Sequence, residues 1–361
     1  MAKRKRLEKK KRVVVRERNW EEQPEADFSH DLARHRRALA KLPEHSLYHH
    51  TLSDDFMSNA TVVNHARKWA FVRCDDMGAD ASETQLCLID ESLQEGDETL
   101  LAPGDRVLVE RDVDGNHVVR GVAERKTMLV RFAPRRRGVE KQVIAANVDT
   151  LLIVAAAAQP PFRPGLIDRF LIAAQMGGVE PVLCVNKMDL VDREPEQLSL
   201  YRELGLTVCL TSCNIGQGIN TLRDVLIAKT SVFAGHSGVG KSSILNALDT
   251  GLRVFTREIS EATQRGKHAT TAARLYELAG NIRVIDTPGI RTLGLWNVTP
   301  EEVALYFPDI AEHGVRCRFR NCTHVHEPGC AVLDAIESGS LAQARYASYR
   351  RIRENLESET K

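Results

Sequence analysis

The sequence predicts a multidomain protein in which a small β-barrel precedes a central α/β domain and a short helical module follows. Three observations support this prediction: short β-type runs up to residue 133, alternating strand and helix patterns from 143 to 290, and a dense group of cysteines and histidines after 297. We therefore expect four parts: a basic N-terminal extension at 1–51, an OB-type barrel at 52–133, an α/β domain at 134–296 and a C-terminal module at 297–361.

Charge is distributed unevenly along the 361 residues. Residues 1–18 carry ten lysines and arginines and two glutamates, a net charge of +8, whereas the whole chain is only +1. A basic arm predicts a polyanionic partner, although a solvated, disordered tail would have the same composition. No apolar segment follows the basic start as in a secretory signal, and the longest apolar run, Leu151 to Ala158, is too short to span a bilayer. We expect a cytoplasmic protein that makes no membrane contact.

The barrel is predicted from five short β-type runs separated by turn residues such as Pro103-Gly104-Asp105. Five strands in about eighty residues are typical of an OB-type barrel, although other small barrels share this pattern. The runs are Thr61–Val63, Trp69–Val72, Gln85–Ile89, Arg106–Val109 and His117–Val119. A basic cluster follows them, and it predicts either an RNA-facing surface or a solvated linker; its members are Arg131, Arg135, Arg136, Arg137 and Lys141.

The α/β domain is predicted from strands that alternate with helices. Val148–Val154 is a continuous apolar run, as expected for a parallel strand that is covered on both faces. The later strands and helices indicate a doubly wound sheet. They are the helix around Leu166–Ile172, the strands Pro181–Val185 and Thr207–Leu210, the helix Thr221–Ala228 and the strands Ser231–Ala234 and Ile282–Ile285.

A phosphate-binding loop is predicted directly after the strand Ser231–Ala234. The motif G-x-x-x-x-G-K-S lies between this strand and a helical pattern, which is the setting that the motif requires. Its glycines let backbone N–H groups surround a phosphate, the lysine reaches the outer phosphates and the serine hydroxyl can ligate Mg²⁺. The predicted phosphate-binding residues are Gly235, His236, Ser237, Gly238, Val239, Gly240, Lys241, Ser242 and Ser243.

The residues that follow two of the predicted strands indicate that the bound base is guanine. The sequence Asn186-Lys187-Met188-Asp189 follows a strand, where open α/β sheets bind ligands. The Asp189 carboxylate can accept hydrogen bonds from both N1–H and the N2 amino group of guanine, and adenine offers neither donor in that arrangement. Ser212 and Cys213 follow the next strand and fit a contact to the guanine carbonyl, although an ordinary turn would have the same sequence.

Two switch segments are predicted after the phosphate loop. In Asp286-Thr287-Pro288-Gly289, the carboxylate can hold the Mg²⁺ water shell and the Gly289 N–H can contact a γ-phosphate. Thr270 or Thr271 can supply the threonine that contacts Mg²⁺ and the γ-phosphate, and we take Ser242 and Thr270 as the Mg²⁺ ligands.

The order of the motifs is unusual. Base-reading elements at 186–189 and 211–213 precede the phosphate loop, whereas ordinary GTPases have the reverse order. A parallel sheet tolerates such a circular permutation when the original termini are adjacent.

Catalysis at such a site requires a group that places the attacking water. Where Ras-like enzymes have a glutamine after the second-switch glycine, this chain has Ile290, which cannot form a hydrogen bond through its side chain. His268 precedes the switch threonines and is the predicted water-orienting residue, although it could also only cap or pack the switch. The predicted catalytic residues are His268, Lys241, Thr270 and Thr271.

A metal site is predicted in the C-terminal module. Cys317, Cys322, His324 and Cys330 have the spacing C-x₄-C-x-H-x₅-C, and three thiolates with an imidazole match one closed, structural Zn²⁺ site. His313 or His326 could replace His324. The eight cysteines, without a signal sequence, also indicate a reducing compartment rather than disulfides.

With these motifs, the sequence resembles the bacterial ribosome-assembly GTPase family known as RsgA or YjeQ. The resemblance covers about residues 60–345 and depends on the permuted motif order, Gly266-Lys267-His268, Asp286–Gly289 and the Cys/His spacing. Ala269 departs from the family pattern, in which a threonine follows the histidine, so the identity of the switch threonine stays open.

The resemblance implies an OB-type barrel, a circularly permuted α/β P-loop GTPase domain and a helical zinc-binding module. It also implies a monomeric, Mg²⁺-dependent enzyme that binds the small ribosomal subunit and its rRNA late in assembly and hydrolyses GTP to GDP there to drive release. The alternative is a regulatory GTPase switch with a protein partner, in which the barrel serves as the protein-binding module.

Overall fold

The fold is given by a computed structural model, which describes residues 57–66, 68–76, 84–95, 98–135, 138–249, 273–286, 293, 295 and 298–359. The basic arm, the segment with His268, and Gly289 lie outside these residues, and so does the stretch near Asp31–Lys41, where the sequence predicts a short helix. No described helix has both the length and the apolar character needed to cross a membrane.

A closed five-stranded barrel forms from the five segments that the sequence predicts. Its strands are β1 (Ala60–His65), β2 (Trp69–Cys74), β3 (Gln85–Ile89), β6 (Arg106–Arg111) and β7 (His117–Val122), with a small β4–β5 hairpin (Gln94–Glu95, Glu98–Thr99) between β3 and β6. The strand order β1-β2-β3-β7-β6 is that of an OB fold, with β3 parallel to β7. Alternate residues such as Val62, Val72 and Cys87 fill the interior, which fixes the register of the strands.

An antiparallel ribbon follows the barrel. Its strands are β8 (Met128–Arg135) and β9 (Gly138–Ala146), and they form a separate two-stranded sheet. Arg131, Arg135 and Lys141 of the basic cluster therefore lie on β8 and β9, whereas Arg136 and Arg137 lie outside the described residues. Arg131 lies opposite Gln142 and donates two hydrogen bonds to its side-chain oxygen, at 3.0 and 2.8 Å.

The central sheet has six strands in the order β12-β11-β10-β13-β15-β14. The parallel strands are β10 (Thr150–Ala156), β11 (Glu180–Asn186), β12 (Thr207–Leu210), β13 (Thr230–Ala234) and β15 (Ile282–Asp286). β14 (Arg274–Leu278), which the sequence analysis missed, is an antiparallel edge strand. All seven residues of β10 are buried, as its apolar sequence predicts for a central strand.

Helices connect these strands. They are α1 (Pro164–Gly177), α2 (Leu198–Glu203), α3 (Ile219–Leu226) and α4 (Lys241–Leu248). The helix predicted at 221–228 begins and ends two residues earlier. α1 has proline at its first position and ends at Gly178, whose φ of 67° is the left-handed conformation typical of a helix C-terminus.

The C-terminal residues 299–359 form a separate helical unit. It contains a 3₁₀ turn (Val303–Tyr306), α5 (Pro308–Gly314), α6 (Ala331–Glu337) and α7 (Gln343–Glu359). Arg345 of α7 donates two hydrogen bonds to Asp309 of α5 and stacks over the Phe307 ring at 4.5 Å. This nearly buried ion pair and its aromatic neighbour join the first and last helices of the unit.

Candidate functional site

Parallel strands bring the predicted nucleotide motifs to one edge of the sheet. Asn186 to Asp189 lie at the end of β11, Thr211 to Cys213 follow β12, the phosphate loop follows β13 and Asp286 ends β15. Because these strands are neighbours of β10 or of one another, their carboxyl ends form one continuous edge. The base-reading elements lie on one side of β10 and the phosphate-binding elements on the other.

The conformation of the phosphate loop requires glycine at two positions where the backbone lies close to neighbouring atoms. Gly235 has a φ of 150°, and a Cβ atom there would lie 2.2 Å from the Val154 carbonyl oxygen. Gly240 has a φ of 99°, and a Cβ atom there would lie 2.2 Å from the Asn186 side-chain nitrogen. The Lys241 Nζ donates to the carbonyl oxygens of Gly235 and His236 at 2.7 and 2.9 Å. The lysine thus lies over the loop at the start of α4, with its charge at the candidate phosphate site.

Asn186 joins the base-reading and phosphate-binding elements. Its side-chain nitrogen donates to the Val239 carbonyl oxygen at 3.0 Å, and its side-chain oxygen accepts from Thr211 Oγ1 at 3.3 Å. Asn186 is 2 % exposed, so these contacts form a buried polar network. One side chain therefore links the ends of β11 and β12 to the phosphate loop, and its role here is positioning.

Two hydrogen bonds from neighbouring side chains orient the Asp189 carboxylate. Ser212 Oγ donates to one of its oxygens at 2.5 Å and Asn214 Nδ2 donates to the other at 3.3 Å. The hydrogen bond from Ser212 is the main cause that lowers the pKa of Asp189, so the carboxylate stays charged as a guanine acceptor requires. Asn214 was not predicted, although it lies directly after the Thr211–Cys213 segment.

The other predicted nucleotide residues lie around the same edge. Lys187, with a φ of 64°, donates to the Gln159 carbonyl oxygen, and the Met188 N–H donates to the Thr211 carbonyl oxygen at 3.1 Å. The Cys213 thiol lies 3.6 Å from the Asn186 side-chain oxygen. His236 Nδ1 is 2.8 Å from the Ser237 carbonyl oxygen. Ser242 and Ser243 are exposed in the first turn of α4.

The predicted metal ligands come together in the C-terminal unit. The ligand atoms of Cys317, Cys322, His324 and Cys330 all lie within 4.8 Å of one another. His324 Nδ1 is 3.5 Å from the Sγ atoms of both Cys317 and Cys330, and these two Sγ atoms are 3.9 Å apart. A tetrahedral Zn²⁺ site with its usual bond lengths would place N and S about 3.6 Å apart and S and S about 3.8 Å apart. The four residues therefore fit a tetrahedral metal ion of this kind.

Geometry distinguishes His324 from the alternative histidines, His313 and His326, as the fourth ligand of the cluster. His313 Nδ1 is 2.6 Å from an Arg316 Nη2 atom, and His326 is exposed outside the cluster. Hydrogen bonds from Cys322 and Cys330 lower the pKa of Cys317, so this thiol favours the thiolate, the form that binds metals.

Residues that the sequence analysis missed hold the segment around His324 in place. The Glu327 carboxylate accepts hydrogen bonds from Thr323 N and Oγ1 and from the N–H groups of Val325 and His326. Burial disfavours its charged form, but these hydrogen bonds lower the pKa of Glu327 to about 2. Tyr346 of α7 donates its hydroxyl to the His324 carbonyl oxygen at 2.8 Å, and His324 has a φ of 57°. This contact stabilises a backbone conformation that is unfavourable for histidine.

Tyr346→Phe is expected to weaken metal binding about tenfold while the unit stays folded. The change removes only the hydroxyl that holds the His324 backbone, and loss of such supporting contacts typically costs 10- to 100-fold in metal affinity. Competition with a chromophoric chelator measures the affinity. Tyr306→Phe is the matched control, because no described contact joins the Tyr306 hydroxyl to the segment around His324. Equal affinities of the two variants would contradict the role of Tyr346.

A phosphate-loop motif after β13 and an Asn-Lys-x-Asp motif after β11, at one edge of the sheet and in permuted order along the chain, define a circularly permuted P-loop GTPase. Comparison with known proteins identifies the family within this class. The family model described as RsgA GTPase matches residues 122–296. A Chlorobaculum tepidum protein named small ribosomal subunit biogenesis GTPase RsgA is 40% identical over 267 residues, which are 71% of this chain and 86% of that protein. The chain therefore belongs to the RsgA family and is a GTP-hydrolysing enzyme.

Solved structures agree with this assignment. The crystal structure of YjeQ from Thermotoga maritima matches with a TM-score of 0.63 at 32% sequence identity, and the match covers 83% of this chain and 98% of that one. YloQ, described as a circularly permuted GTPase, matches with a TM-score of 0.62 at 28% identity, covering 86% and 98%. The predicted fold class is confirmed: a barrel, a permuted GTPase sheet and a helical unit with a Cys₃His cluster.

Proposed function

We propose that this GTPase acts late in the maturation of the small ribosomal subunit, with the GTP form bound to the subunit and hydrolysis driving release. One observation carries the proposal: the relative named small ribosomal subunit biogenesis GTPase RsgA matches across 86% of its own length. The alternative, a regulatory switch with a protein partner, has no comparable observation in its favour. We further infer that the protein is cytoplasmic and monomeric.

The nucleotide residues have distinct proposed roles. The loop amides and Lys241 bind the β- and γ-phosphates, Asp189 reads guanine, and Ser212 and Cys213 border the base. Ser242 and Thr270 would hold Mg²⁺, with Asp286 on its water shell; when bound, the ion neutralises charge that develops on the phosphates. The Gly289 N–H and Thr271 would contact the γ-phosphate. In the C-terminal unit, the Cys₃His cluster would hold one structural Zn²⁺.

Two basic segments are proposed to contact rRNA phosphates. One is the arm at 1–18, and the other is the basic end of the β8–β9 ribbon, where Arg135 lies opposite Gly138. Deleting residues 2–12 removes eight basic side chains, so we expect weaker subunit binding and a flatter salt dependence, with unchanged basal GTP hydrolysis. Binding measured between about 50 and 200 mM salt tests this. A slope equal to that of the full chain would show that the arm is a solvated tail.

His268→Ala is expected to keep GTP affinity and subunit binding but to lose at least about tenfold of the subunit-stimulated turnover. The Ile290 side chain cannot orient water, whereas the His268 imidazole, two residues before Thr270 in the sequence, can orient or deprotonate it. Single-turnover GTP hydrolysis on purified subunits measures the effect, and Ile290→Ala, expected to change turnover little, is the control. Normal stimulated turnover in His268→Ala would assign water activation to the ribosome itself.

The proposed function is tested by GTP turnover in the presence of purified small subunits, purified large subunits, or neither. We expect stimulation by small subunits alone. Equal stimulation by both subunits would indicate non-specific RNA activation, and no stimulation by either would favour a protein partner.

A further inference from the structure

A cavity of about 560 Å³ lies between the barrel and the central sheet, which belong to one compact unit. Each of its two facing walls is a row of three polar side chains, because residues opposite each other on neighbouring strands share a face. The barrel row is Arg73, Thr61 and Arg106, across β2, β1 and β6. The sheet row is Glu277, Arg283 and Thr230, across β14, β15 and β13.

Direct contacts hold the two walls together. Arg73 of the barrel forms an ion pair with Glu277 of the sheet. The Ala146 N–H, at the end of β9, donates to the Pro103 carbonyl oxygen at 2.9 Å, just before β6. The cavity is therefore formed before any ligand binds, which lowers the ordering cost of binding.

The cavity and the nucleotide motifs lie at opposite ends of the same strands. Thr230 begins β13 and Arg283 lies near the start of β15, whereas the phosphate loop follows β13 and Asp286 ends β15. The five residues of β13 span about 13 Å, at about 3.3 Å per residue. A ligand in the cavity would therefore not occupy the nucleotide site.

Positive charge is in excess in the cavity. Four cationic and three carboxylate side chains line it, which gives a net charge of +1. In the described part of the chain, the Nε atoms of Arg73 and Arg283 are buried without a hydrogen-bond partner, and an anionic oxygen would satisfy these donors. The three carboxylates already have partners: Asp75 binds Arg106, Glu277 binds Arg73, and Asp149 accepts from the Thr230 N–H at 2.7 Å.

The two guanidinium groups with buried Nε atoms lie close to one carboxylate. Arg73 pairs with Glu277, and Arg283 lies opposite Glu277 on the adjacent strand. Burial and the charge of Arg283 lower the pKa of Arg73 below that of a free arginine side chain. One carboxylate thus leaves repulsion between the two cations, and a bound anion would offset it.

We propose that this cavity is a second ligand site, distinct from the nucleotide site, which binds a small phosphate monoester through Arg283 and Arg73. Guanidinium groups match phosphate oxygens in bidentate geometry. The volume lies within the range of about 300–1,000 Å³ that is usual for small-molecule sites. The lining carboxylates can accept hydrogen bonds from hydroxyl groups on the rest of the ligand. A terminal monoester can enter such a cavity, whereas a phosphate within an RNA strand carries a nucleotide on each side and needs an open groove.

Calorimetric titration of the full chain, saturated with GDP and Mg²⁺, tests the cavity while the nucleotide site is occupied. The probes are ribose 5-phosphate, inorganic phosphate and ribose. We expect ribose 5-phosphate to bind with a Kd in the millimolar range or below, inorganic phosphate to bind more weakly and ribose, which has no charge, not to bind. Absence of binding by both phosphate probes would overturn the proposal, as would binding of ribose as tight as that of ribose 5-phosphate.

Substitutions separate this site from general charge attraction. Arg283→Gln should weaken binding of both phosphate probes at least about tenfold, because it removes a charged donor. Arg283→Lys, which keeps the charge without the planar fork, should bind with intermediate affinity. Lys229→Gln is the matched control: it also removes one positive charge, directly before Thr230, but Lys229 does not line the cavity. Parent-like binding in Arg283→Gln, or an equal loss in Lys229→Gln, would overturn the proposal.

A crystal of the GDP-bound parent chain soaked in tungstate, a heavy analogue of phosphate, locates the anion without any substitution. We expect tungstate within hydrogen-bonding distance of the Arg283 and Arg73 guanidinium groups. Tungstate on surface lysines alone, with the cavity empty, would overturn the proposal. Arg283→Gln should also bind small subunits as the parent does. Weaker subunit binding, with ribose 5-phosphate binding intact, would assign Arg283 to rRNA instead and overturn the proposal.

Discussion

Cys317→Ala is expected to abolish stoichiometric metal binding and to unfold much of the C-terminal unit, while nucleotide binding by the central sheet stays within about twofold. Cys317 is fully buried, and its Sγ atom is the neighbour of both His324 and Cys330. Structural Zn²⁺ contributes on the order of 10 kcal/mol of apparent binding free energy in small domains, and this binding is coupled to folding. The unit is only about sixty residues long, so it depends on that contribution.

Two measurements check this expectation. Elemental analysis should find one zinc per parent chain and far less in the variant, and hydrogen exchange should show lost protection at 317–349 but not in β10–β15. Cys74→Ala, which changes a barrel cysteine outside the cluster, should resemble the parent in both measurements. A variant that retains its zinc would contradict the ligand assignment. A parent without zinc would contradict the identity of the metal.

The sequence predicts the fold wherever burial is regular. β10 is predictable because a central parallel strand is buried on both faces and its sequence is continuously apolar. β14 was missed because an edge strand has charged residues, here Arg274 and Glu277, and resembles a polar connection. The β8–β9 ribbon was missed because Pro134 and the surrounding arginines argue against a strand, although proline is tolerated in an unpaired edge of a two-stranded ribbon.

In the candidate sites, motifs within a short segment are predictable from the sequence, and contacts between distant residues are not. Cys317 to Cys330 and Asn186 to Asp189 are predictable because their spacing within a short segment is itself the signal. The supporting contacts are long-range: Tyr346 is 22 residues from His324, and Asn186 is 53 residues from Val239. Only the packing of the elements brings such pairs together, so no short sequence pattern identifies them.

Asp189→Asn is expected to lower GTP affinity about 10³-fold, roughly 4 kcal/mol, and to reverse the preference between GTP and xanthosine triphosphate. A carboxylate at this position can accept hydrogen bonds from both guanine donors, whereas an amide would place its own N–H groups against one of them. Xanthine has a carbonyl where guanine has its amino group, so the amide can donate there. Ser212 and Asn214 orient the side chain at 189 in advance, and the new base preference should therefore be sharp.

Binding of fluorescent GTP, with unlabelled GTP and xanthosine triphosphate as competitors, measures both effects. Ser212→Ala is the matched variant: it removes one hydrogen bond to Asp189 but keeps the charge, so we expect only a few-fold loss of affinity and an unchanged preference for guanine. The two variants thus separate base reading from side-chain orientation. If Asp189→Asn binds GTP as the parent does, another residue reads the base, and Asp189 serves only to hold the loop at Ser212.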